Sequence, residues 1–266
     1  MAAAETLVAE REAAALATLA AAGVLAPGEA ATGLTQLEGG WSRQAFVLAT
    51  AAPAGATREF VVRVKPPGAL LDTDLHQEFE VCRLLAEHGI AVPTSYAYEA
   101  QGNPFGGPYF VMDRAPGWAP NVWRRRDREQ LEANWEGGGS LAEDLLDSLV
   151  RIHAIPAAAA AQVLPARDFE AAVSHWEQVQ GAMALVRDPV VEDAYAWLRD
   201  RPPDPVEPTI VHGDYRIGNC LNQDGRITAI LDWELSYVGD PRYDLGYISL
   251  DYEAGAFTHP GSPLLG

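Results

Sequence analysis

The most informative part of the sequence is residues 209–219, which read TIVHGDYRIGN. The first three residues are an apolar, β-branched run that is typical of a short strand. This run leads directly into a polar segment with Asp214 near its centre, and Asn219 follows Asp214 after five residues. The pattern therefore predicts a strand, a polar loop and a second strand that begins near Asn219.

A short hairpin is predicted directly after this loop. Residues 220–231 read CLNQDGRITAIL, two β-like runs joined by the turn sequence QDG. Asp232 follows the second run, thirteen residues after Asn219. Folding the hairpin back on itself brings Asp214, Asn219 and Asp232 to one edge.

These three side chains suit the chemistry of phosphoryl transfer. The oxygens of Asn219 and Asp232 are ligands that Mg²⁺ prefers, and Mg²⁺ also takes substrate phosphates. Asp214 is then left to accept the proton of an attacking hydroxyl. The pattern predicts a catalytic Asp214 and a magnesium ion held by Asn219 and Asp232.

A resemblance to a known family rests on several motifs taken together. They are His212-Gly213-Asp214 with Asn219, ILDWE at 230–234, GDPRYDLG at 239–246, VRVKPPG at 62–68 and QEF at 77–79. With these motifs the sequence resembles the aminoglycoside phosphotransferase and choline kinase family over about residues 34–251. The motifs at 62–68 and 77–79 are most similar to the branch found fused to, or beside, acyl-CoA dehydrogenases.

The resemblance implies an α+β, protein-kinase-like fold with two lobes. We expect residues 1–114 to form a β-rich N-terminal lobe with a leading helix, an antiparallel sheet and one further helix. Residues 115–266 would form the mainly helical C-terminal lobe that carries the catalytic loop. Relatives usually continue with several helices after the position of Asp244, whereas 22 residues remain here, so we expect this lobe to be truncated at its C-terminus.

In the second lobe, the resemblance implies roles position by position. Asp214 resembles the catalytic base and His212 the residue that braces the catalytic loop. Asn219 and Asp232 resemble the magnesium ligands. Asp244 resembles a structural acid that ties the loop from below.

In the first lobe, the resemblance implies two contacts with ATP, which would lie between the lobes. Gly39, Gly40 and Ser42 would belong to the turn that covers the phosphates, since glycine lets backbone N–H groups approach phosphate oxygens. Relatives often carry asparagine after that serine, where this chain has Arg43. Residues 110–115 would form the hinge that pairs with adenine.

Within this hinge, the expected contacts are the backbone near Asp113 and Ala115, with Met112 behind the base. A plain core position is the alternative for Met112.

The phosphates also need a cation on a strand, braced by an acid on a helix. Arg63 and Lys65 are two residues apart, so both fit the same strand face. The sequence leaves the choice between them open. Glu78 is the expected partner, with an exposed helix carboxylate as the alternative. Glu234 is open between a water-mediated metal contact and an ordinary carboxylate.

Composition excludes other classes of protein. The chain has 37 acidic and 19 basic residues, a net charge of −18, which argues against a nucleic-acid binder. Two distant cysteines, Cys82 and Cys220, exclude a disulfide framework and favour a reducing, cytoplasmic location. A secretory signal and a membrane span are not expected. The basic cluster at 123–128 indicates a solvated helix start or a contact for an anionic group of a substrate.

The sequence therefore predicts an ATP- and Mg²⁺-dependent kinase that phosphorylates a hydroxyl group of a small molecule. Aminoglycoside-like, choline-like and hydroxyacyl-CoA-like acceptors all remain open, as does the oligomeric state. The first alternative is a nucleotide-binding module or fragment without turnover. The second is a metal-dependent hydrolase built on His212 and Asp214.

Overall fold

The computed structural model describes residues 2–37, 42–69, 71, 73–100, 102–137, 139–184, 186 and 188–249. These residues belong to two compact units. The first unit combines Met1–Pro120 with Gly218–Glu234, and the second combines Asn121–Ile217 with Leu235–Gly266.

The named elements follow one another in an α+β order, as the sequence predicts. They are α1 (Ala2–Ala21), β1 (Ala30–Gln36), β2 (Gln44–Ala51), β3 (Thr57–Val64), α2 (Leu75–Glu87), β4 (Ser95–Glu99), β5 (Tyr109–Asp113), α3 (Arg125–Glu136), α4 (Leu141–His153), α5 (Ala157–Ala160), α6 (Phe169–Met183), α7 (Pro189–Arg199), β6 (Thr209–Val211), β7 (Cys220–Gln223), β8 (Arg226–Ile230) and β9 (Tyr237–Gly239). Residues 242–249 are also helical.

The first unit is built on a five-stranded antiparallel sheet in the order β1-β2-β3-β5-β4. One face of this sheet forms a core with α1, in which Leu19, Leu48, Phe60 and Val62 are buried. Successive side chains of a strand point to opposite faces, so Arg63 lies on the other face from Val62.

That other face packs against α2. Leu75 and Phe79 of α2 join Val61, Phe110 and Met112 of the sheet in a second apolar cluster. Arg63 is in register with Phe110 of β5 and Ala45 of β2, which places it near the middle of the sheet.

The sequence accounts for α2 in detail. Its apolar residues recur at helical spacing, and the Asp74 carboxylate caps the helix by accepting a hydrogen bond from the His76 N–H at 2.8 Å. Gly89 follows with a φ of 71°, a conformation that glycine adopts without strain. One charged residue, Glu78, lies among the buried side chains of α2.

The hairpin β7–β8 belongs to the first unit, although it lies after residue 217. The Trp118 N–H donates to the Asn222 carbonyl at 3.0 Å, and the Ile230 N–H donates to the Ala91 carbonyl at 2.7 Å. A single boundary at residues 114–115 places this hairpin in the second lobe, whereas these backbone contacts attach it to the first unit.

The second unit is mainly helical. Its strands β6 and β9 pair antiparallel. β6 ends just before the loop that contains Asp214, and β9 follows that loop later in the chain. Asp188 caps α7 by accepting from the Val190 N–H, and Pro189 occupies the first turn, where a missing N–H costs nothing. Within the described ranges, no helix is both long enough and apolar enough to cross a bilayer.

Two strands are not predicted from the sequence. β1 reads AATGLTQ and carries small and polar residues in place of a β-branched alternation, and β9 is three residues long. Both form because a neighbouring strand supplies hydrogen-bond partners: β2 for β1, and β6 for β9.

An ion pair between a buried glutamate and an exposed arginine ties the segment after α1 to the sheet. Glu29, whose side chain is 2% exposed, accepts hydrogen bonds from Arg58 at 2.7 and 3.1 Å, from the Thr50 hydroxyl at 2.5 Å and from the Ala26 N–H at 2.8 Å. The hydrogen bond from Arg58 lowers the pKa of Glu29 to about 2, against the opposing effect of burial.

We predict that Glu29→Gln lowers the free energy of unfolding by on the order of 2 kcal/mol at pH 7. The pKa of the folded state lies below the ordinary value of 4.5, so this stabilisation is present above pH 4.5 and is lost as the pH falls toward about 2. Urea unfolding of both proteins at pH 7 and at pH 3 measures the difference. Glu59→Gln, in an exposed pair with Arg114, is the matched control and is expected to have little effect. A difference that stays constant between the two pH values would contradict the prediction.

Candidate functional site

A buried ion pair lies where α2 crosses the sheet. The Arg63 guanidinium contacts the Glu78 carboxylate, and the Glu78 side chain is 2% exposed. The sheet places Arg63 on the face that α2 covers, and the helical spacing of α2 turns Glu78 toward the same face. The strand cation and the helix acid that the sequence predicts are therefore in contact.

Arg63 also reaches a predicted magnesium ligand. Its Nη2 atom donates to Asp232 Oδ1 at 2.6 Å. Lys65, the other candidate cation, lies just beyond the end of β3 and lines a cavity of about 510 Å³ with Pro66, Asn103 and Gly107. The geometry thus favours Arg63 as the cation associated with Glu78 and Asp232.

Arg43 joins this cluster, which the sequence did not indicate. It is 5% exposed and directs its guanidinium at two carboxylates, with Nε 3.5 Å from Glu78 Oε2 and Nη2 3.2 Å from Glu234 Oε2. Nη2 also donates to the Thr73 hydroxyl at 2.5 Å. The only signal in the sequence was the arginine that stands where relatives often carry asparagine.

Glu234 is engaged by protein donors through both of its oxygens. Oε1 accepts from the Ser42 hydroxyl at 2.5 Å, and Oε2 accepts from the Thr73 hydroxyl at 3.2 Å and pairs with Arg43. These contacts favour a structural role for Glu234 over a water-mediated metal contact. They also place Ser42, which was expected near the phosphates, beside the segment that carries Asp232.

The cluster combines two guanidinium groups with three carboxylates. Burial raises the pKa of Glu78, while Arg63 and Arg43 oppose that shift. Burial opposes ionisation of Arg63 as well, yet the charges of Glu78, Asp232 and Glu234 raise its pKa above the ordinary value. Arg63 therefore remains a cation in a buried setting, which is the state needed to bind phosphate.

The two predicted magnesium ligands lie on adjoining backbone segments. The Leu231 N–H donates to the Asn219 carbonyl at 2.8 Å, which holds the residue before Asp232 beside Asn219. Asn219 is buried, whereas the Asp232 side chain is one-third exposed. Asp232 has a φ of 70°, a conformation that residues other than glycine rarely adopt and that is often found at functional sites.

This donor set fits Mg²⁺. One amide oxygen and one carboxylate leave the remaining positions for water and phosphate oxygens, which is the usual pattern for this ion. Across the described part of the chain, no group of three or more His, Cys, Asp or Glu side chains is placed to hold a metal ion. Asn219 and Asp232 are thus suited to a magnesium ion whose remaining ligands include phosphate oxygens.

In the second unit, Asp244 organises the loop that contains Asp214. Asp244 is fully buried and accepts from the His212 N–H at 2.9 Å, from the Gly213 N–H at 3.0 Å and from His153 Nε2 at 3.1 Å. Gly213 has a φ of 87°, and a Cβ there would lie 2.7 Å from the Leu235 carbonyl oxygen. Only glycine fits this close approach.

His212 supports the same loop from inside. It is fully buried, and its Nδ1 atom accepts from the Asp214 N–H at 3.2 Å, which requires an unprotonated Nδ1. Its ring also packs edge to face with Tyr215. These contacts are those expected of a bracing residue.

The Asp214 carboxylate is held by two side chains that the sequence did not indicate. Oδ1 accepts from Arg216 Nε at 3.1 Å, and the Tyr247 hydroxyl also hydrogen-bonds the carboxylate. Burial, together with this bond to Asp214, raises the pKa of Tyr247. Arg216 lies within the stretch at 209–219, two residues after Asp214, but the pattern there did not indicate a role for it. His153 and Tyr247 lie outside that stretch and reach their partners only through the fold.

The expected adenine contacts lie on β5 and just after it. Met112 is buried in the cluster with Phe79 and Phe110, as the core alternative requires. The Asp113 N–H donates to the Thr94 carbonyl at 2.9 Å, so a base would have to use other backbone atoms of residues 113–115, such as those of Ala115. Gly39 and Gly40 lie outside the described residues.

The basic cluster at 123–128 begins a helix, as one of its two readings requires. Trp123 is 64% exposed, and Arg125 donates to Glu129 one turn along α3 at 2.7 Å. This arrangement is that of a solvated helix start.

Comparison with known proteins gives one family match and several relatives. Residues 33–263 match the phosphotransferase enzyme family, abbreviated APH. The chain is 29% identical over 209 residues to acyl-CoA dehydrogenase family member 10 of Mus musculus, covering 74% of this chain and 19% of the relative. It is 28% identical over 236 residues to acyl-CoA dehydrogenase family member 11 of Homo sapiens, covering 84% and 28%. The chain thus spans about a fifth to just over a quarter of these relatives.

Solved structures of similar fold include aminoglycoside phosphotransferases. A protein of Ralstonia eutropha assigned to that group has a TM-score of 0.62 at 23% identity, covering 86% of this chain and 65% of its own. Aminoglycoside phosphotransferase APH(4)-Ia, in complex with ADP and hygromycin B, has a TM-score of 0.59 at 18% identity, covering 93% and 83%. The protein-kinase-like fold that the sequence predicts is thereby confirmed.

We predict that Asp244→Asn lowers the free energy of unfolding by about 2–3 kcal/mol, because an amide nitrogen cannot accept from a buried N–H. The amides of His212 and Gly213 should also exchange with deuterium faster. Urea unfolding and hydrogen exchange measure the two effects. Asp240→Asn, in a more exposed pair with Arg242, is the control. Unchanged exchange at both amides would contradict the role given to Asp244.

Proposed function

The chain belongs to the phosphotransferase enzyme family, and we propose that it transfers the γ-phosphoryl group of ATP to a hydroxyl group of a small molecule. The observation that carries this proposal is the cluster in which Arg63 contacts Glu78 and Asp232. A largely buried cation, braced by a helix acid and next to a proposed oxygen ligand for magnesium, suits the binding of a metal–nucleotide complex.

Arg63 is proposed to bind the phosphates, and Asn219 and Asp232 to hold Mg²⁺. When bound, Mg²⁺ neutralises charge on the nucleotide phosphates. Arg63 donates to Asp232, a proposed metal ligand, so its guanidinium is already oriented toward the proposed position of the nucleotide phosphates. Glu78 keeps that guanidinium fixed, which reduces the reorganisation needed on binding.

Asp214 is proposed as the base. The acceptor oxygen forms a bond to the γ-phosphorus as the bond to the ADP oxygen breaks, and the hydroxyl proton passes to the Asp214 carboxylate. Arg216 and Tyr247 orient that carboxylate, and Asp244 holds its loop through two backbone N–H groups. The side chain of Asp214 is 17% exposed, enough for one oxygen to meet an acceptor.

The acceptor is proposed to be a hydroxyacyl-CoA-like compound. The relatives reported above are acyl-CoA dehydrogenase family members, and the sequence at 62–68 and 77–79 resembles that branch. The aminoglycoside phosphotransferase structures share less than a quarter of their residues with this chain, so they support its fold without supporting their substrate. Aminoglycosides and amino alcohols serve as competing acceptors in the test.

We predict that Asp214→Asn abolishes phosphoryl transfer while nucleotide binding is retained, because the amide cannot accept a proton. Labelled ATP with a hydroxyacyl-CoA, an amino alcohol and an aminoglycoside measures transfer. The shift of the melting temperature with Mg-ADP measures binding. Asp193→Asn, an exposed substitution on α7, is the matched control and should keep both.

Three outcomes separate the alternatives. Turnover by Asp214→Asn at the wild-type rate would overturn the role of Asp214. A wild-type protein that binds Mg-ADP but transfers phosphate to none of the acceptors would favour the nucleotide-binding module. A wild-type protein whose melting temperature does not respond to any nucleotide would favour the hydrolase.

We also predict that Asp232→Asn weakens nucleotide binding more in the presence of Mg²⁺ than in EDTA, because the variant loses a charged metal ligand. Isothermal calorimetry with ADP under the two conditions measures the difference. An equal loss under both conditions would show that Asp232 acts through Arg63 and not through a metal.

A further inference from the structure

Arg43 connects three separate segments of the first unit. It follows Ser42 and lies just before β2, it contacts Glu78 of α2, and it contacts Glu234, two residues after Asp232. Thr73, in the segment before α2, binds the guanidinium of Arg43 and the carboxylate of Glu234. A single side chain thus lies at the junction of all these segments.

Burying these charged groups costs more free energy than a purely structural role requires. Moving a guanidinium and two carboxylates out of water costs several kcal/mol per ion, and a well-packed apolar set is often as stable. Arg43, Glu78 and Glu234 are 5%, 2% and 8% exposed, so each bears this cost. What the ions supply in addition is directional contact, since the planar guanidinium fixes two carboxylates at once.

We infer that Arg43 is a positioning residue for the nucleotide, and this inference rests on the proposed function. Arg43 holds Glu78 on one side and Glu234 on the other, and through them it fixes the groups proposed to bind the metal–nucleotide complex. Glu78 is the partner of Arg63, and Glu234 lies in the same short segment as Asp232.

The charges explain why the loss of Arg43 would disturb binding. With Arg43 present, two guanidinium groups face the carboxylates of Glu78, Asp232 and Glu234. Without Arg43, Arg63 alone faces all three carboxylates and Glu234 keeps only the two hydroxyl donors. Arg63 would then be held more strongly by protein carboxylates and would be less available to a phosphate.

The experiment compares Arg43→Gln and Arg43→Lys with Arg58→Gln. Arg58 is a suitable control because it belongs to the same unit and also pairs with a buried glutamate, Glu29. Urea unfolding, calorimetry with Mg-ADP, and KM for ATP and for the acceptor are measured for each folded variant.

We expect both glutamine variants to be less stable than the wild type, but only Arg43→Gln to bind Mg-ADP more weakly, by about 10–100-fold. Its KM for ATP should rise while its KM for the acceptor changes less than about twofold. Arg43→Lys should bind with intermediate affinity, because lysine keeps the charge but not the planar fork. If Arg43→Gln does not fold, Arg43→Lys carries the test, and it is expected to bind Mg-ADP more weakly than the wild type.

The results distinguish this inference from the proposed function. Wild-type affinity for Mg-ADP in folded Arg43→Gln, or in Arg43→Lys where the glutamine variant does not fold, would overturn the inference alone. An equal loss of affinity in Arg58→Gln would also overturn it, since a general loss of stability would then be the cause. A wild-type protein that does not bind Mg-ADP would overturn both.

Discussion

The buried carboxylate of Glu78 is the group on which the first unit's charged cluster depends. It lies in the face of α2 that packs on the sheet, where an unpaired charge would be severely destabilising. Two guanidinium groups meet this requirement, and each reaches a further acid. The need to neutralise one buried carboxylate therefore brings β2, β3, α2 and the segment after β8 into a single arrangement.

A buried carboxylate has a similar organising role in the second unit. Asp244 satisfies two backbone N–H groups of the loop before Asp214 and a histidine of α4. Its partners are mostly backbone donors, whereas those of Glu78 are arginine side chains. The backbone bonds give the loop one conformation, and the arginine bonds connect distant segments. Loss of Asp244 would leave two buried backbone N–H groups without their acceptor, and loss of Glu78 would remove the acid that Arg43 and Arg63 share.

Local patterns explain which parts of the fold could be predicted. The helical spacing and Asp74 cap of α2, and the turn at 223–225, are signals carried by neighbouring residues. β1 and β9 lack such signals because their stability comes from the strands they pair with. Residues 218–234 joined the first unit for the same reason, through hydrogen bonds to residues distant in sequence.

The sequence by itself determined the motif residues, the family and the chemistry they suit, because the order of residue types at 212–219 and 230–234 is a property of the chain alone. Only the tertiary structure decided that Arg63, and not Lys65, is the partner of Glu78. It also placed protein donors at both oxygens of Glu234, and it brought Arg43 and Tyr247 to acidic groups. The physical reason is that burial and hydrogen-bond geometry depend on segments separated by tens to more than a hundred residues, and a one-dimensional pattern does not contain their distances.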